Sequence, residues 1–189
     1  GALPTVSPGD MRQDLARRDF SVNAMAVRLA PADEWGQLLD PFGGYEDVDS
    51  RIVRALHPDS FIDDATRILR AVRYSGRLDF GLASETRDMV QRHSPYLGTI
   101  TGDRLRREFE RIFREDRVAS ILTLAQELGV LGAVHSGLRF DEPMAERLRL
   151  VGIAPTLESD LLVLSLLTYP TPASLRSALI ARLNMSLNW

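Results

Sequence analysis

The sequence predicts a mostly α-helical protein in which a short segment of mixed α/β structure comes first. Turn signals separate short apolar runs in residues 1–57. From residue 60 onward, apolar residues instead recur at helical spacing. The 189 residues, 44% of them hydrophobic and 26% charged, are enough for one sizeable core or two small ones.

The first part of the chain predicts short elements separated by turns. Residues 1–13 combine Pro, Gly and Ser with a few apolar residues, which is typical of a loop or a short strand. Asp14 is a candidate helix cap, and residues 22–29 fit a helix or a strand equally well. The stretch DPFGG at residues 40–44 is a strong turn signal, and the apolar runs on its two sides favour a hairpin or a strand pair.

Helical periodicity covers the rest of the chain. The clear helices are predicted over residues 60–78, 84–93, 101 or 103 to 113, and 117–128. Ser84 is expected to cap the second helix, and Gly129 to terminate the fourth. Weaker patterns predict helices over residues 143–150, 158–168 and 172–183. The change of pattern places a domain boundary near residue 57.

Composition and charge exclude several classes of protein. The chain has no cysteine, which excludes a disulfide framework and a thiolate metal site, and its three histidines lack ligand spacing. Because no apolar run approaches 18 residues and no signal peptide is recognisable, we expect a cytoplasmic protein without a membrane segment. The net charge of −3 argues against a protein that coats nucleic acid indiscriminately, so any basic surface must be local.

The stretch DDATRILRAVRY, residues 63–74, places an acid and three arginines three residues apart. One flank of the predicted helix therefore holds Asp64, Arg67, Arg70 and Arg73, opposite the apolar residues. The ordinary interpretation is a solvated face, on which Asp64 and Arg67 form an (i, i+3) ion pair worth a few tenths of a kcal/mol.

A carboxylate beside a guanidinium also suits the recognition of two nucleobases. Cytosine and adenine present an exocyclic amino donor next to a ring-nitrogen acceptor, which complements Asp64 and Arg67. Uracil and guanine place a carbonyl oxygen against Asp64, and a buried mismatch of this kind costs about 1–3 kcal/mol. Arg70 and Arg73, farther along the helix, suit phosphate oxygens.

A second group of charged residues lies in the stretch DLARRDFSVNAMA, residues 14–26. Alone, its side chains fit ordinary cap and surface pairs. The ordered set RRDFSVNAMA, LLDPFGGYEDVDSRIVRAL, DDATRILRAVRYSGRLDFGL and RLRREFERIF, however, resembles the class II tRNA nucleotidyltransferase and bacterial poly(A) polymerase family. The resemblance covers most of residues 1–115.

The resemblance implies an enzyme that adds C and/or A to RNA 3′ ends, in tRNA CCA addition or in polyadenylation. ATP and CTP are the implied substrates, and an RNA 3′ end, that of tRNA, is the implied partner. Asp64 and Arg67 match the protein template for C and A, and Arg18 matches the closest contact to ribose and phosphate. The implied nucleotide-binding residues are Arg17, Arg18, Asp19, Asn23, Asp64, Arg67, Arg70 and Arg73.

The resemblance also implies a domain organisation. Residues 1–57 correspond to the C-terminal part of a nucleotidyltransferase head, which makes the α/β segment a remnant of that head. Residues 58–140 correspond to a helical neck that carries the template helix, and residues 141–189 to the start of a helical body. The helix from Arg104 to Phe113 matches a neck element whose charges are expected to be structural.

We expect the chain to be a fragment without the metal-binding carboxylates of the family. In that family, two Mg²⁺ ions are held by an Asp-x-Asp motif after a Gly-rich turn, and both precede the Arg-Arg-Asp segment. Neither motif occurs upstream of Arg17, so no catalytic residue is predicted here and the fragment alone is predicted to be inactive. Asp47-Val48-Asp49 has the spacing of a metal pair, but it matches a structural turn.

Four positions depart from the family pattern: Ser21 stands in place of Thr, Asp63 in place of Glu, and Ala65-Thr66 in place of Pro-Leu. The shorter Asp63 is expected to change the orientation of Arg67 and thereby the fineness of base choice. Two alternatives stay open. One alternative to the enzyme fragment is a helical RNA-binding or scaffold module derived from this family without catalysis. The other is a helical bundle whose arginine rows are only solvated faces. The sequence leaves the oligomeric state unknown.

Overall fold

The structure is a computed structural model that describes residues 9–151 and 157–185. In chain order its elements are α1 (Met11–Ala16), β1 (Ala26–Val27), β2 (Leu38–Leu39), α2 (Gly44–Asp49), β3 (Ile52–Val53), α3 (Ser60–Asp63), α4 (Thr66–Leu78), β4 (Gly81–Leu82), α5 (Ser84–His93), α6 (Gly102–Phe113), α7 (Val118–Glu127), α8 (Val130–Val134), α9 (Glu142–Val151), α10 (Leu157–Thr168) and α11 (Ala173–Arg182). Short 3₁₀ turns lie at Ser21–Asn23, Ala32–Glu34 and Ser94–Thr99. The predicted fold class, mostly α with a small α/β segment, is confirmed.

The first helix begins earlier than predicted. Asp10 caps α1 by accepting a hydrogen bond from the Gln13 amide at 2.8 Å, whereas Asp14 lies inside the helix, so its assignment as the cap was wrong. Of the loop predicted over residues 1–13, residues 1–8 lie outside the described part. The ambiguous stretch 22–29 forms the end of a 3₁₀ turn and then β1.

The turn at residues 40–44 is present, but the hairpin predicted around it is wrong. Strand β2 before the turn pairs antiparallel with β1, and the chain after the turn enters helix α2. The Asp40 carboxylate accepts hydrogen bonds from the amides of Gly44 and Tyr45 at 2.7 and 2.8 Å. These contacts satisfy backbone donors at the start of α2, and they therefore favour a helix directly after the turn, so the next apolar run forms β3 and pairs with β4 instead of β2.

The predicted helix over residues 60–78 is interrupted. Helix α3 ends at Asp63, Asp64 is extended with φ −149° and ψ 101°, and α4 begins at Thr66. The Asp64 carboxylate accepts hydrogen bonds from both the amide and the hydroxyl of Thr66, at 3.0 and 2.7 Å. Such local side-chain bonding competes with the helical backbone pattern, which accounts for the break.

The later helices follow the sequence pattern closely. Helices α5, α6, α7, α9, α10 and α11 lie within a few residues of their predicted bounds. Gly129 ends α7 with φ 75°, a left-handed conformation that glycine adopts without strain. Ser84 does not cap α5, because its hydroxyl bonds to Glu85 instead. Helix α8 was not predicted.

One hydrophobic core joins the two segments on either side of residue 57. Phe20 and Val53 from the first segment are fully buried with Ile68 and Val72 of α4. Strand β3 also pairs in parallel with β4, which connects residues 52–53 to 81–82. The core therefore holds the start of the chain against α4.

Close packing also fixes α4 against α7. A Cβ atom added at Gly76 would lie 2.2 Å from Cγ1 of Ile121, so only glycine permits this approach between the helices. Among the described residues, no helix is long and apolar enough to cross a membrane.

Candidate nucleotide-binding site

The break between α3 and α4 presents the carboxylate of Asp64 at the start of α4. Its Oδ1 atom accepts both hydrogen bonds from Thr66, which restrain this oxygen. The side chain stays 31% exposed, so at least part of it is accessible to a ligand. The sequence prediction that Asp64 shares a continuous helix with Arg67 is therefore wrong, although both residues remain at the N-terminal end of α4.

Asp64 pairs with Arg104 of α6. Nη2 of Arg104 donates to Oδ1 and Oδ2 of Asp64, at 2.8 Å in each case. Partial burial works against the charge, but the hydrogen bonds from Thr66 and the positive charge of Arg104 keep the pKa of Asp64 below its ordinary value. Asp64 is therefore ionised at neutral pH and offers acceptors only.

Arg67 binds other groups, so the predicted ion pair with Asp64 is wrong. Its Nη1 donates to Oγ of Ser60 at 2.9 Å, and its Nη2 donates to the carbonyl oxygen of Arg17 at 2.8 Å. Its Nε lies 3.5 Å from Oδ1 of Asp19. With a side chain only 14% exposed, Arg67 ties the Arg-Arg-Asp segment to α3 and α4.

Asp19 connects the two sequence motifs. Its carboxylate lies between Arg67 and Arg70, and it accepts a hydrogen bond from Nε of Arg70. Burial opposes the charge of Arg70, but the adjacent Asp19 carboxylate raises the pKa of that guanidinium overall. Residues separated by about 50 positions in the sequence thus form one charged cluster.

The remaining residues of the first motif make local contacts. Nη1 of Arg18 donates to the carbonyl oxygen of Asn23 at 3.2 Å, and Nη2 donates to Asp14 at 3.3 Å. Oδ1 of Asn23 accepts a hydrogen bond from the Phe20 amide at 3.2 Å. Asn23 therefore shapes the turn after the Arg-Arg-Asp segment, and the Arg18 side chain lies across that turn.

Arg73 does not belong to an exposed flank. Its side chain is 8% exposed and pairs with Glu115 at 2.9 Å, in the loop that follows α6. The guanidinium groups of Arg70, Arg73 and Arg77 also lie 5.7, 5.0 and 5.1 Å from the ring centre of Tyr74. The uniform arginine row expected from helical spacing is thus divided: Arg67 and Arg70 lie beside Asp19, whereas Arg73 is buried against Glu115.

Asp63, which replaces a glutamate of the family pattern, is directed toward His57, at 3.8 Å between Oδ2 and Nε2. Among the described contacts, none joins Asp63 to Arg67. The expected influence of Asp63 on the orientation of Arg67 has no support in these contacts. Arg104, on a helix whose charges were expected to be structural, forms the ion pair with Asp64 described above.

The candidate metal pair of the sequence does not fit a magnesium site. Asp47 is 5% exposed, and its carboxylate accepts a 2.5 Å hydrogen bond from the Ser21 hydroxyl and three hydrogen bonds from Arg54. A carboxylate saturated by a guanidinium has no lone pairs to offer a cation. Within residues 9–151 and 157–185, no group of three metal-ligating side chains comes together.

Two family matches cover most of this architecture. Residues 4–54 match the poly A polymerase head domain, and residues 79–140 match the probable RNA and SrmB-binding site of polymerase A. The first match thus lies in the segment before residue 57, and the second lies in the helical segment after it.

Individual relatives agree with these matches. An A-adding tRNA nucleotidyltransferase of Aquifex aeolicus is 39% identical over 78% of this chain and 18% of its own length. The A-adding tRNA nucleotidyltransferase of Halalkalibacterium halodurans is 38% identical over 78% of the chain and 35% of its own length. The chain thus spans about a third or less of the curated relatives it matches.

Solved structures share the fold over nearly the whole chain. An apo CCA-adding enzyme aligns with a TM-score of 0.86 and 30% identity, covering 98% of this chain and 46% of that one. The Thermotoga maritima CCA-adding enzyme in complex with tRNA aligns with a TM-score of 0.81 and 30% identity, covering 94% and 46%. The chain therefore belongs to the class II CCA-adding enzyme family of nucleotidyltransferases, of which it spans a part.

Proposed function

We propose that this chain is the nucleotide-recognition part of a template-independent nucleotidyltransferase that adds C and/or A to the 3′ end of tRNA. The observation that carries the proposal is the ionised, partly exposed carboxylate of Asp64, presented beside Arg67 at the start of α4. The names of the relatives support the reaction class, since they include A-adding, CC-adding and CCA-adding enzymes.

Base recognition is assigned to Asp64 and Arg67. The amino group of cytosine or adenine donates to Oδ2 of Asp64, because Oδ1 already accepts two hydrogen bonds from Thr66 and one from Arg104. Arg67 has five N–H groups and uses three of them in the contacts described, so two remain to face a ring nitrogen. Solved relatives in complex with ATP and with CTP support these nucleotides as ligands.

Ribose and phosphate contacts are assigned to the first motif. Arg17 and Arg18 lie in the segment that Arg67 and Asp19 hold against α4, and both have N–H groups available for phosphate oxygens. Arg70 pairs with Oδ2 of Asp19, whereas Arg67 lies near Oδ1, and Arg70 thereby supports the segment electrostatically. Asp19, Asn23 and Arg73 complete the predicted set by holding the backbone and the helix in place.

The chemistry of transfer is assigned to a part of the complete protein outside the described residues. Magnesium ions bound there would activate the primer hydroxyl and neutralise charge on the triphosphate. The carboxylate of Asp47 already accepts hydrogen bonds from Arg54 and Ser21, so we assign it no metal ion. No step of the reaction is therefore assigned to this chain. The described residues bind and orient the nucleotide.

RNA binding without catalysis is the second candidate. The match of residues 79–140 to a probable RNA-binding site supports an RNA partner, and a relative in complex with tRNA supports the same class of partner. In a protein that served only as a scaffold, the ionised carboxylate of Asp64 would have no base to recognise. This difference separates the two candidates experimentally.

The test is nucleotide incorporation by the complete protein on tRNA transcripts that end before, within and after the CCA sequence. Sequencing of the products identifies which nucleotides are added. We expect C, A or both, and we expect Asp64→Ala to admit U. A complete protein that binds tRNA but adds no nucleotide would support the scaffold. Addition of U and G at the rate of C and A by the unmodified protein would refute recognition by Asp64.

A further inference from the structure

The base recognition proposed above does not yet explain the contact between Asp64 and Arg104. Arg104 lies in the first turn of α6, forty positions from Asp64, and its side chain is 49% exposed. An exposed ion pair of this kind contributes little to stability. Its geometry, however, controls which oxygen of Asp64 is available.

The two oxygens of Asp64 differ in their hydrogen bonds. Oδ1 accepts from the Thr66 amide at 3.0 Å, from the Thr66 hydroxyl at 2.7 Å and from Arg104 at 2.8 Å. In the described contacts Oδ2 accepts from Arg104 alone, at 2.8 Å. A carboxylate oxygen has about two lone-pair sites, so Oδ1 is saturated and Oδ2 keeps capacity for one further donor.

Thr66 alone does not fix Oδ2. Both of its contacts end on Oδ1, and rotation about the Cβ–Cγ bond moves the two oxygens together, so Thr66 restrains that rotation at one oxygen only. Terminal carboxylate torsions are broad, and a second anchor is needed to define them. Arg104 supplies that anchor because the same Nη2 atom contacts both oxygens.

We infer that Arg104 is a positioning residue for base recognition, which holds Asp64 so that Oδ2 receives the amino group of the incoming base. This inference rests on the proposed function of Asp64. Arg104 acts through Asp64 and makes no contact with the base itself. Without Arg104, the carboxylate rotates. The selectivity for a base that donates a hydrogen bond to Asp64, over a base that presents an acceptor there, then decreases.

The experiment measures the ratio of kcat/KM for CTP over UTP in the complete protein with four variants: unmodified, Asp64→Ala, Arg104→Ala and the double variant. We expect Arg104→Ala to lower the ratio by about tenfold, the scale of one charged hydrogen bond. We expect the double variant to match Asp64→Ala. Arg107→Ala is the control, because Arg107 is an exposed arginine in the next turn of α6.

A pH profile distinguishes positioning from a general effect on stability. Arg104 helps to keep the pKa of Asp64 low, so removing it should move the acidic loss of CTP selectivity to higher pH. A change that only weakened the fold would lower activity with both nucleotides and leave the ratio and its pH dependence unchanged. That result would overturn the inference.

The remaining outcomes separate this inference from the proposed function. If Asp64→Ala lowers the ratio and Arg104→Ala does not, Arg104 has no positioning role, while recognition by Asp64 stands. If Arg104→Ala lowers the ratio equally with and without Asp64, Arg104 acts on the base directly and positioning is wrong. If neither variant changes the ratio, both the inference and recognition by Asp64 are refuted.

Discussion

Asp47 and Asp64 each pair with an arginine from another part of the fold, but their surroundings differ. The Asp47 side chain is 7% exposed, and both of its oxygens accept from Arg54 while Ser21 also donates to it. Asp64 is 31% exposed, and one of its oxygens keeps a free lone pair. Saturation by internal hydrogen-bond donors therefore distinguishes a structural carboxylate from one that can recognise a ligand.

The largest effect on stability is expected at Asp47. Replacing it with Ala leaves the buried Ser21 hydroxyl and the Arg54 guanidinium without their acceptor, and we expect the free energy of unfolding to fall by about 2–3 kcal/mol. Chemical denaturation measures this change. Asp49→Ala, at an exposed neighbouring position, is the control and should change it by less than about 0.5 kcal/mol. Equal effects at the two positions would contradict the structural role of Asp47.

A smaller effect, on both stability and binding, is expected at Arg67. Arg67→Ala removes contacts to Ser60 and to the Arg17 carbonyl oxygen, so the Arg-Arg-Asp segment loses part of its attachment to α4. We expect a loss of about 1–2 kcal/mol in unfolding free energy and, in the complete protein, a larger loss of affinity for CTP than for UTP, because only cytosine offers a ring-nitrogen acceptor to Arg67. Arg92→Ala, on the exposed side of α5, is the matched control. Unchanged nucleotide affinity in Arg67→Ala would exclude Arg67 from the site.

The pH dependence of stability should report the ionised state of Asp64. The pKa of Asp64 is lower in the folded protein than its ordinary value, so its contribution is present above that value and is lost as the pH falls through the lowered pKa. The difference in unfolding free energy between the unmodified chain and Asp64→Asn should be constant above about pH 5.5 and should decrease below about pH 4. A difference that increases in acid would contradict the assigned charge.

The smallest effect is expected at Asp63. Its side chain is 62% exposed and lies 3.8 Å from His57. Asp63→Glu restores the residue of the family pattern, and we expect the preference for CTP over UTP to stay the same in the complete protein. A clear increase in that preference would show that the shorter side chain limits base choice, as the sequence had suggested.

Helix α8 aside, the helices after residue 84 were predictable, most clearly where a regular apolar stripe packs into the core. Helix α6 illustrates this: Leu105, Phe109 and Ile112 recur at helical spacing, and all three are buried. The break at Asp64 was not predictable from periodicity, because the same residues fit a continuous helix. Only the hydrogen bonds from Thr66 to Asp64 favour the interruption.

The candidate site was predictable in its residue types and not in its pairing. The sequence placed Asp64 and Arg67 together, but Arg67 bonds to the Arg-Arg-Asp segment and Asp64 bonds to Arg104. These contacts join residues 40 to 50 positions apart, and no local spacing encodes them. The position of Arg104 in the first turn of an amphipathic helix was the one available signal, and it did not indicate a partner.

The most direct test of the account is the affinity of the complete protein for CTP and for UTP, measured by calorimetry before and after Asp64→Asn. The amide keeps an oxygen for Thr66 but places an amino group where Oδ2 lies. The account predicts that the unmodified protein prefers CTP and that Asp64→Asn binds CTP more weakly and UTP more tightly. Equal loss of both nucleotides, or an unchanged preference for CTP, would contradict recognition of the base by the Asp64 carboxylate.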